Sequence, residues 1–596
     1  MLTLYLSGNE AIAHGLVQAG VRFITGYPGT PSSEIIPAAQ KLVKEKNIKA
    51  FIDWAINEKV AFEIAYSVSL TGIKTAVTMK QVGLNVAMDP FMNSAYVGTD
   101  GAMVVVSVDD PGPHSSQTEQ DSRFFAMTGK VPVLDPSTVQ EAYEFAKKAV
   151  QLSKRYSIPV MLRSSTRISH GRGDVKVEED FILEPINATF KILKDWDKKL
   201  PRYAATPRQR LMLHGLLNEK IAEIEKLNEL RTFFSGDILI LSSGAVFSYL
   251  YELIEEHGLE DKVTLAKVDM PYPMKKFDFS GYKRVITIEE SMPVIELQLC
   301  TEGRRNGIVP KQGELTPDVC EEILERIGLI KKGKTISVPP LKRPSLCPGC
   351  GHRIALYALK KVFGKKAVYS GDIGCYTLAL NFGVTDTVLC MGASVSFGLG
   401  IKKAFELSGK NQDVVAIIGD STFFHTGIPP LIDAVHYRVP FLTVILDNKT
   451  VAMTGNQKTL SDHVSSFGEP VTPIVIENVV QGIGVKFIQA VDPYDFNSSI
   501  KILKEAKKFL KENKEPAVII FRHLCVNTKE GLDANPIYNV KILKEVCKGC
   551  KVCITEFECP AIFFNEEEGK VDFDKTLCIS CGCCVHVCPT KAIVLI

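Results

Sequence analysis

Several features are missing from this 596-residue chain. It lacks an excess of charge: 70 Lys and Arg stand against 68 Asp and Glu, a formal net charge of +2 at pH 7. That leaves no electrostatic footprint for nucleic acid or an anionic membrane. It lacks any uninterrupted apolar run approaching the ~20 residues that span a bilayer. It also lacks low-complexity segments and repeats of solenoid period. No basic n-region opens the chain, and Glu10 and His14 interrupt any apolar core of a signal peptide. The expected compartment is therefore a reducing cytoplasm. Composition is ordinary for a globular protein, at 45% apolar and 23% charged with 43 Gly and 31 Pro, which excludes disorder, collagen and coiled coil. The length predicts three to five domains.

The sequence does hold unevenly placed cysteine. Nine of the 16 lie between Cys547 and the C-terminus, and seven are spread over the rest. Such crowding at one end reads as metal ligation rather than a disulfide scaffold. Upstream, short apolar runs alternate with amphipathic stretches. Runs at 21–25, 74–79 and 102–108 predict strands, and between them Val60, Ala61, Ile64, Ala65 and Val68 fall on one helical face. A second such unit is expected at 236–335, with strands at 237–242, 263–268 and 284–288 and a helix near 246–256. A third is expected at 340–540, with strands at 413–418, 441–447 and 517–521. Alternation of this kind implies α/β architecture, with buried parallel sheets covered on both faces. Residues 181–235, charged and leucine-studded, read as a helical linker, and 331–344 as an exposed one.

The tail, 541–596, reads Cys547-x2-Cys550-x2-Cys553-x5-Cys559-Pro560 and then Cys578-x2-Cys581-x2-Cys584-x3-Cys588-Pro589. Zinc would use two CxxC pairs rather than two triple repeats each ending in Cys-Pro. The pattern resembles bacterial-type two-cluster ferredoxins, in which each motif supplies three thiolates to one [4Fe–4S] cluster and its fourth to the other. The resemblance implies one cluster on Cys547, Cys550, Cys553 and Cys588, and another on Cys578, Cys581, Cys584 and Cys559. The first motif departs by its x5 spacing, and Cys583 is spare.

In the third unit, a strand-like run ends at Gly419-Asp420-Ser421. Twenty-eight residues after Asp420, another ends at Asp447-Asn448-Lys449-Thr450. Ligands bind at the carboxyl ends of strands in such sheets, and a carboxylate with an amide oxygen there suits Mg²⁺. The pattern is similar to the thiamine diphosphate signature, with Ser421 in place of a usual Gly and Lys449 in place of a frequent Asn. By that resemblance Gly419, Asp420, Ser421 and Asn448 meet the cofactor. Asp420 and Asn448 ligate Mg²⁺ by side chains, and Thr450 by its carbonyl.

Further segments carry a wider likeness: Gly26-Tyr-Pro-Gly-Thr30-Pro-Ser-Ser-Glu34, Asn57-Glu58-Lys-Val-Ala, Met79-Lys-Gln-Val-Gly-Leu-Asn, Cys347-Pro-Gly-Cys350-Gly-His-Arg353 and Gly371-Asp-Ile-Gly-Cys375. From the N-terminus through the tail, the chain resembles 2-oxoacid:ferredoxin oxidoreductases, in particular the larger (alpha) subunits that act on indolepyruvate. The resemblance implies a pyrimidine-binding domain at 1–180, a small transketolase C-terminal-like domain at 236–335, a diphosphate- and Mg-binding domain at 340–540 and a ferredoxin domain at 541–596. It makes Glu58 the catalytic glutamate that polarises the aminopyrimidine, and puts Thr30 and Arg123 on the 2-oxoacid carboxylate, a task suited to a guanidinium fork. It implies a third [4Fe–4S] cluster on Cys347, Cys350, Cys375 and Cys525. The expected reaction is oxidative decarboxylation of aryl pyruvates with coenzyme A, with electrons passing to an external ferredoxin in an α2β2 assembly with a smaller beta subunit. The rival readings are another 2-oxoacid preference, a non-oxidative decarboxylase, and an electron-carrying subunit with vestigial thiamine domains. No domain is obviously dedicated to coenzyme A. Cys300, Cys320 and Cys390 acquire no role, nor do His114, His352 and His425.

Overall fold

Thr75–Lys80, Met103–Asp109 and Val160–Ser165 are buried along their whole lengths, as expected of central strands in a sheet covered on both faces. In the computed structural model, which describes residues 1–189, 210–331 and 344–596, they belong to a six-stranded sheet. Its order is Phe51–Trp54, Phe23–Gly26, Thr75–Lys80, Met103–Asp109, Val160–Ser165, Val133–Leu134. Every pairing in it is parallel. Gly8–Gln18, Ile35–Glu45, Glu58–Ser69 and Val139–Tyr156 are among the helices that alternate with these strands. The N-terminal strand Leu2–Ser7 pairs antiparallel with Arg172–Val177.

The same compact unit, Met1–Val338, contains a second sheet. Arg284–Thr287, Ile238–Ser242 and Val263–Val268 run parallel, and Leu230–Phe233 joins antiparallel at the edge. Of the stretch expected as a helical linker, 190–209 lies outside the described residues and Arg210–Glu225 is a helix. Residues 181–189 form no helix and Leu230–Phe233 is a strand, and both correct the expectation for the remainder. This edge strand is largely solvated, and Arg231 extends from it to Glu141 (2.7 Å) and Asp269 (2.6 Å), so its composition reads as linker. The exposed linker expected at 331–344 lies, apart from its ends, outside the described residues.

The second unit, Pro339–Ile596, is built on a five-stranded parallel sheet. Its order is Val368–Ser370, Val414–Gly419, Leu442–Asp447, Ala517–Arg522, Phe487–Val491. Two antiparallel ribbons follow, Val540–Ile542 with Ile593–Leu595 and Ile562–Asn565 with Lys570–Phe573. They carry the cysteine-dense segments. Ile542, Phe557, Ile562, Val587 and Ile593 pack with Ile354 and Tyr357 of the helix Gly351–Phe363, so the tail shares a core with the domain it follows. Among the described residues, no helix is long and apolar enough to cross a membrane.

Candidate functional site

Parallel pairing of Val414–Gly419 with Leu442–Asp447, Gly419 opposite Leu446, brings Asp420 and Asn448 together at adjacent strand ends. Asp420 is buried, and its carboxylate accepts the N–H groups of Ser421 (2.8 Å) and Lys449 (3.1 Å). Asn448 accepts the N–H of Thr450 at 3.3 Å, and the Thr450 hydroxyl donates to the Gln457 carbonyl at 3.1 Å. Lys449 takes φ 60°, a left-handed conformation that Asn adopts more readily than Lys. This gives a physical reason for the Asn favoured there in the signature. A β-carbon on Gly419 would lie 3.0 Å from the Tyr376 ring.

Asp447, which the signature spacing does not include, belongs to the same site. It is fully buried and accepts Nε–H of Arg522 at 2.6 Å, while Arg522 also grips Glu477 at 2.7 and 3.0 Å. Burial and the neighbouring Asp447 carboxylate push the Asp420 carboxyl well above the usual range. Two buried carboxylates and an amide oxygen at one corner form an oxygen-rich donor set that suits a divalent cation. The signal for Asp447 was present, since it directly precedes Asn448 at the end of a buried strand. Asp372, after Val368–Ser370, braces the adjacent turn by accepting the N–H groups of Gly392 (2.8 Å) and Ser394 (2.9 Å) at the start of Ala393–Leu407.

In the first unit, Glu58 opens the helix Glu58–Ser69, whose N-cap Asn57 accepts the Val60 N–H at 2.8 Å. Glu58 is buried, and its carboxylate lies over Gly83: a β-carbon there would come within 2.5 Å of Oε1. Thr30 follows Phe23–Gly26, and its carbonyl accepts the Ser115 hydroxyl at 3.2 Å. Lys80, at the end of Thr75–Lys80, donates to the Ser115 carbonyl (2.7 Å) and hydroxyl (3.1 Å). Burial lowers its ammonium to about 8 against the pull of Asp110. Lys80 stands inside a motif already recognised, but nothing in the sequence distinguished it from a solvated lysine.

Arg123 departs from expectation. It is fully buried, and each guanidinium N–H has a protein acceptor. Nε and Nη2 hold Asp121 at 2.9 and 2.6 Å, Nη2 also reaches the Glu290 carbonyl at 2.7 Å, and Nη1 reaches Glu289 at 3.0 Å and Ser243 at 3.4 Å. No donor is left for a substrate carboxylate. Arg163 stands beside it, held by Asp109 at 3.0 Å and Asp135 at 3.2 Å. Arg123 thus ties Asp121 to Ser243 and Glu289, which follow strands of the second sheet, and the Ser243 hydroxyl donates in turn to Asp135 at 2.9 Å.

All 16 cysteines are free thiols. One cavity in the tail is lined by Cys547, Cys550, Cys553 and Cys588, and another by Cys559, Cys578, Cys581 and Cys584. These are the two sets that the ferredoxin spacing groups. Cys583 is buried on the second cavity, and the half-buried Cys350, whose position there no spacing indicated, also borders it. The Ala592 N–H points at Cys588 Sγ, 3.2 Å away. Cys350 caps Gly351–Phe363, Cys375 opens a 3-10 turn, and Cys525 follows Ala517–Arg522. Burial pushes the Cys375 thiol up to about 12, with Cys350, Cys525 and Cys347 adding to the shift. Among the described residues, no group of three or more Cys, His, Asp or Glu is arranged to hold a single metal ion; the tail sulfurs and Cys350 border cavities instead.

Comparison with known families defines the class. Residues 14–221 match the model described as pyruvate flavodoxin/ferredoxin oxidoreductase, thiamine diphosphate-binding. Residues 372–521 match the thiamine pyrophosphate enzyme C-terminal binding domain, and 571–594 a 4Fe-4S binding domain. This is a thiamine diphosphate-type oxidoreductase subunit with an iron–sulfur domain. Indolepyruvate oxidoreductase subunit IorA of Methanothermobacter marburgensis is 36% identical over 99% of this chain and 97% of its own, and that of Thermococcus kodakarensis 36% over 98% and 96%. A shorter likeness, 30% over 31% of this chain and 50% of the relative, is to 2-oxoglutarate synthase subunit KorA of Methanocaldococcus jannaschii. The chain belongs to the IorA family of indolepyruvate oxidoreductase subunits.

Proposed function

We propose that this chain is the larger subunit of an enzyme that oxidatively decarboxylates aryl 2-oxoacids such as indolepyruvate. Its acyl product passes to coenzyme A and its electrons to an external ferredoxin, in an α2β2 assembly with a smaller beta subunit. The observation that carries the reading lies within one unit: Asp420 and Asn448 stand at adjacent strand ends, and the same unit holds three sets of cysteines, with Cys350 bordering a tail cavity. A non-oxidative decarboxylase has no use for such a run of thiols. A reducing cytoplasm, which keeps them available, is the compartment that suits the sites.

Asp420 and Asn448 by side chains, and Thr450 by its carbonyl, are assigned Mg²⁺, while Gly419 and Ser421 face the diphosphate. Glu58 is assigned the aminopyrimidine ring, and its burial keeps water from competing for that contact. When bound, thiamine diphosphate supplies the electron sink that lets a 2-oxoacid lose carbon dioxide. Since Arg123 is committed internally, Thr30 and the Lys80 ammonium are the groups of the first unit assigned to the substrate carboxylate. The tail cysteines would hold two [4Fe–4S] clusters in the sets described, and Cys347, Cys350, Cys375 and Cys525 a third. The test is anaerobic incubation of chain and partner subunit with indolepyruvate, coenzyme A and oxidised ferredoxin. Thioester and reduced ferredoxin should appear together; aldehyde as sole product, with ferredoxin still oxidised, would overturn the assignment.

A further inference from the structure

Arg353 is 1% exposed, and a guanidinium stays charged in any such setting. Its four Nη hydrogens go to backbone carbonyls. Nη1 donates to Phe557 at 2.7 Å and to Glu558, and Nη2 donates to Leu346 and, at 3.4 Å, to Cys347. Nε–H is buried with no acceptor. The rings of Phe382 and Phe557 stand 5.7 and 5.8 Å from the guanidinium carbon. Among the described residues no carboxylate pairs with it. A buried cation without an anion is strongly disfavoured, and carbonyl dipoles and aromatic faces offset that cost only in part.

The location identifies the missing anion. Two carbonyls gripped by Arg353 belong to the turn at Cys347, and the other two immediately precede Cys559. The side chain itself borders the cavity of Cys559, Cys578, Cys581 and Cys584, where Cys350 also lies. A [4Fe–4S] cube with four thiolate ligands is net negative, and more so after reduction. A fixed cation therefore favours the reduced form and raises the reduction potential, since net charge and hydrogen bonding set that potential. The cavity of Cys547, Cys550, Cys553 and Cys588 is lined by Lys548 and Lys551, both exposed to solvent, and by no buried cation.

We propose that Arg353 is the counter-charge shared by the cluster on Cys559, Cys578, Cys581 and Cys584 and the cluster on Cys347, Cys350, Cys375 and Cys525. It would raise the potential of both, favouring the reduced form of each. The proposal rests on the cluster reading above. Arg353 is a positioning and tuning residue; it transfers no electron itself.

The test compares wild type, Arg353→Gln and Arg353→Lys, each as the full chain with its partner subunit. Iron and sulfide are measured, and an anaerobic redox titration is followed by electron paramagnetic resonance. Without the charge, the one-electron equilibrium of the flanked clusters should shift at least tenfold toward the oxidised form, ~59 mV more negative. The cluster on Cys547, Cys550, Cys553 and Cys588 should stay at its wild-type potential, and lysine should restore most of the shift. Assembly of the flanked clusters with lysine but not with glutamine also supports the proposal. Wild-type potentials in a loaded Arg353→Gln protein would overturn it. So would equal loss of clusters, or an equal shift, in both variants, because the carbonyl-binding fork and not the charge would then be what matters. A wild-type protein without cluster signals would instead refute the cluster reading.

Discussion

Replacing Arg123 with methionine separates two roles that a buried arginine can have. In the structure Arg123 joins Asp121, Glu289, Ser243 and the Glu290 carbonyl with no solvent access. Methionine fills much of the same volume but leaves Asp121 and Glu289 without their cation. Breaking a buried ion pair from one side costs about 3–5 kcal/mol, less whatever is recovered by protonation of the orphaned carboxyls. Burial already pushes Glu289 up to about 7 despite Arg123, so that recovery is substantial and the lower bound applies. Each kcal/mol lowers Tm by about 2 °C in a domain of this size class, so the first unfolding transition should fall by about 6 °C. The assay is differential scanning calorimetry of the assembled enzyme, with KM for the 2-oxoacid measured well below the transition. A Tm within 1–2 °C of wild type, with a KM raised roughly tenfold or more (about 1.4 kcal/mol of binding), would refute the internal role and return Arg123 to the substrate.

Gly83→Ala should lower kcat by about a hundredfold, the lower range for a displaced proton-transfer group, because its β-carbon claims the space of the Glu58 carboxylate. Thiamine diphosphate affinity, measured by quenching of protein fluorescence, should hold within a few-fold, and wild-type turnover would show that Glu58 is not the group concerned. Lys80→Met should raise KM for the 2-oxoacid far more than it lowers kcat. In the unmodified enzyme, Lys80 is cationic below and neutral above about 8, so KM should be flat at lower pH and rise toward tenfold per pH unit above it. A KM unchanged up to pH 9.5 would remove Lys80 from the substrate site.

Legibility in the sequence followed burial and locality. Strands such as Val414–Gly419 and Ala517–Arg522 announce themselves because burial on both faces demands near-continuous apolar runs. Leu230–Phe233 does not, because an edge strand with Arg231 in solvent has the composition of a linker. Asp420 and Asn448 were readable because a signature links them, and the tail cysteines because ligand spacing is local. The fate of Arg123 was not readable, since Glu289 and Glu290 lie more than 160 residues along the chain and no local pattern marks that pairing. Lys80 stood inside a recognised motif, but only burial set it apart, whereas Asp447 was marked by its place directly before Asn448. Cys350 on the wall of a tail cavity is a product of packing alone.

Ile354 and Tyr357 contribute to the same core as Phe557, Ile562 and Val587, and Arg353 fastens the turn at Cys347 to the loop before Cys559. The C-terminal segment is therefore not a cassette. A ferredoxin grafted in its place would lose a wall of one cavity, and the segment expressed alone would expose the apolar underside that now meets the helix. Changes on either side of this seam have to be accommodated by the other, so the two parts are expected to drift together through descent. A chimera that exchanges tails between relatives should work only when the facing helix travels with it.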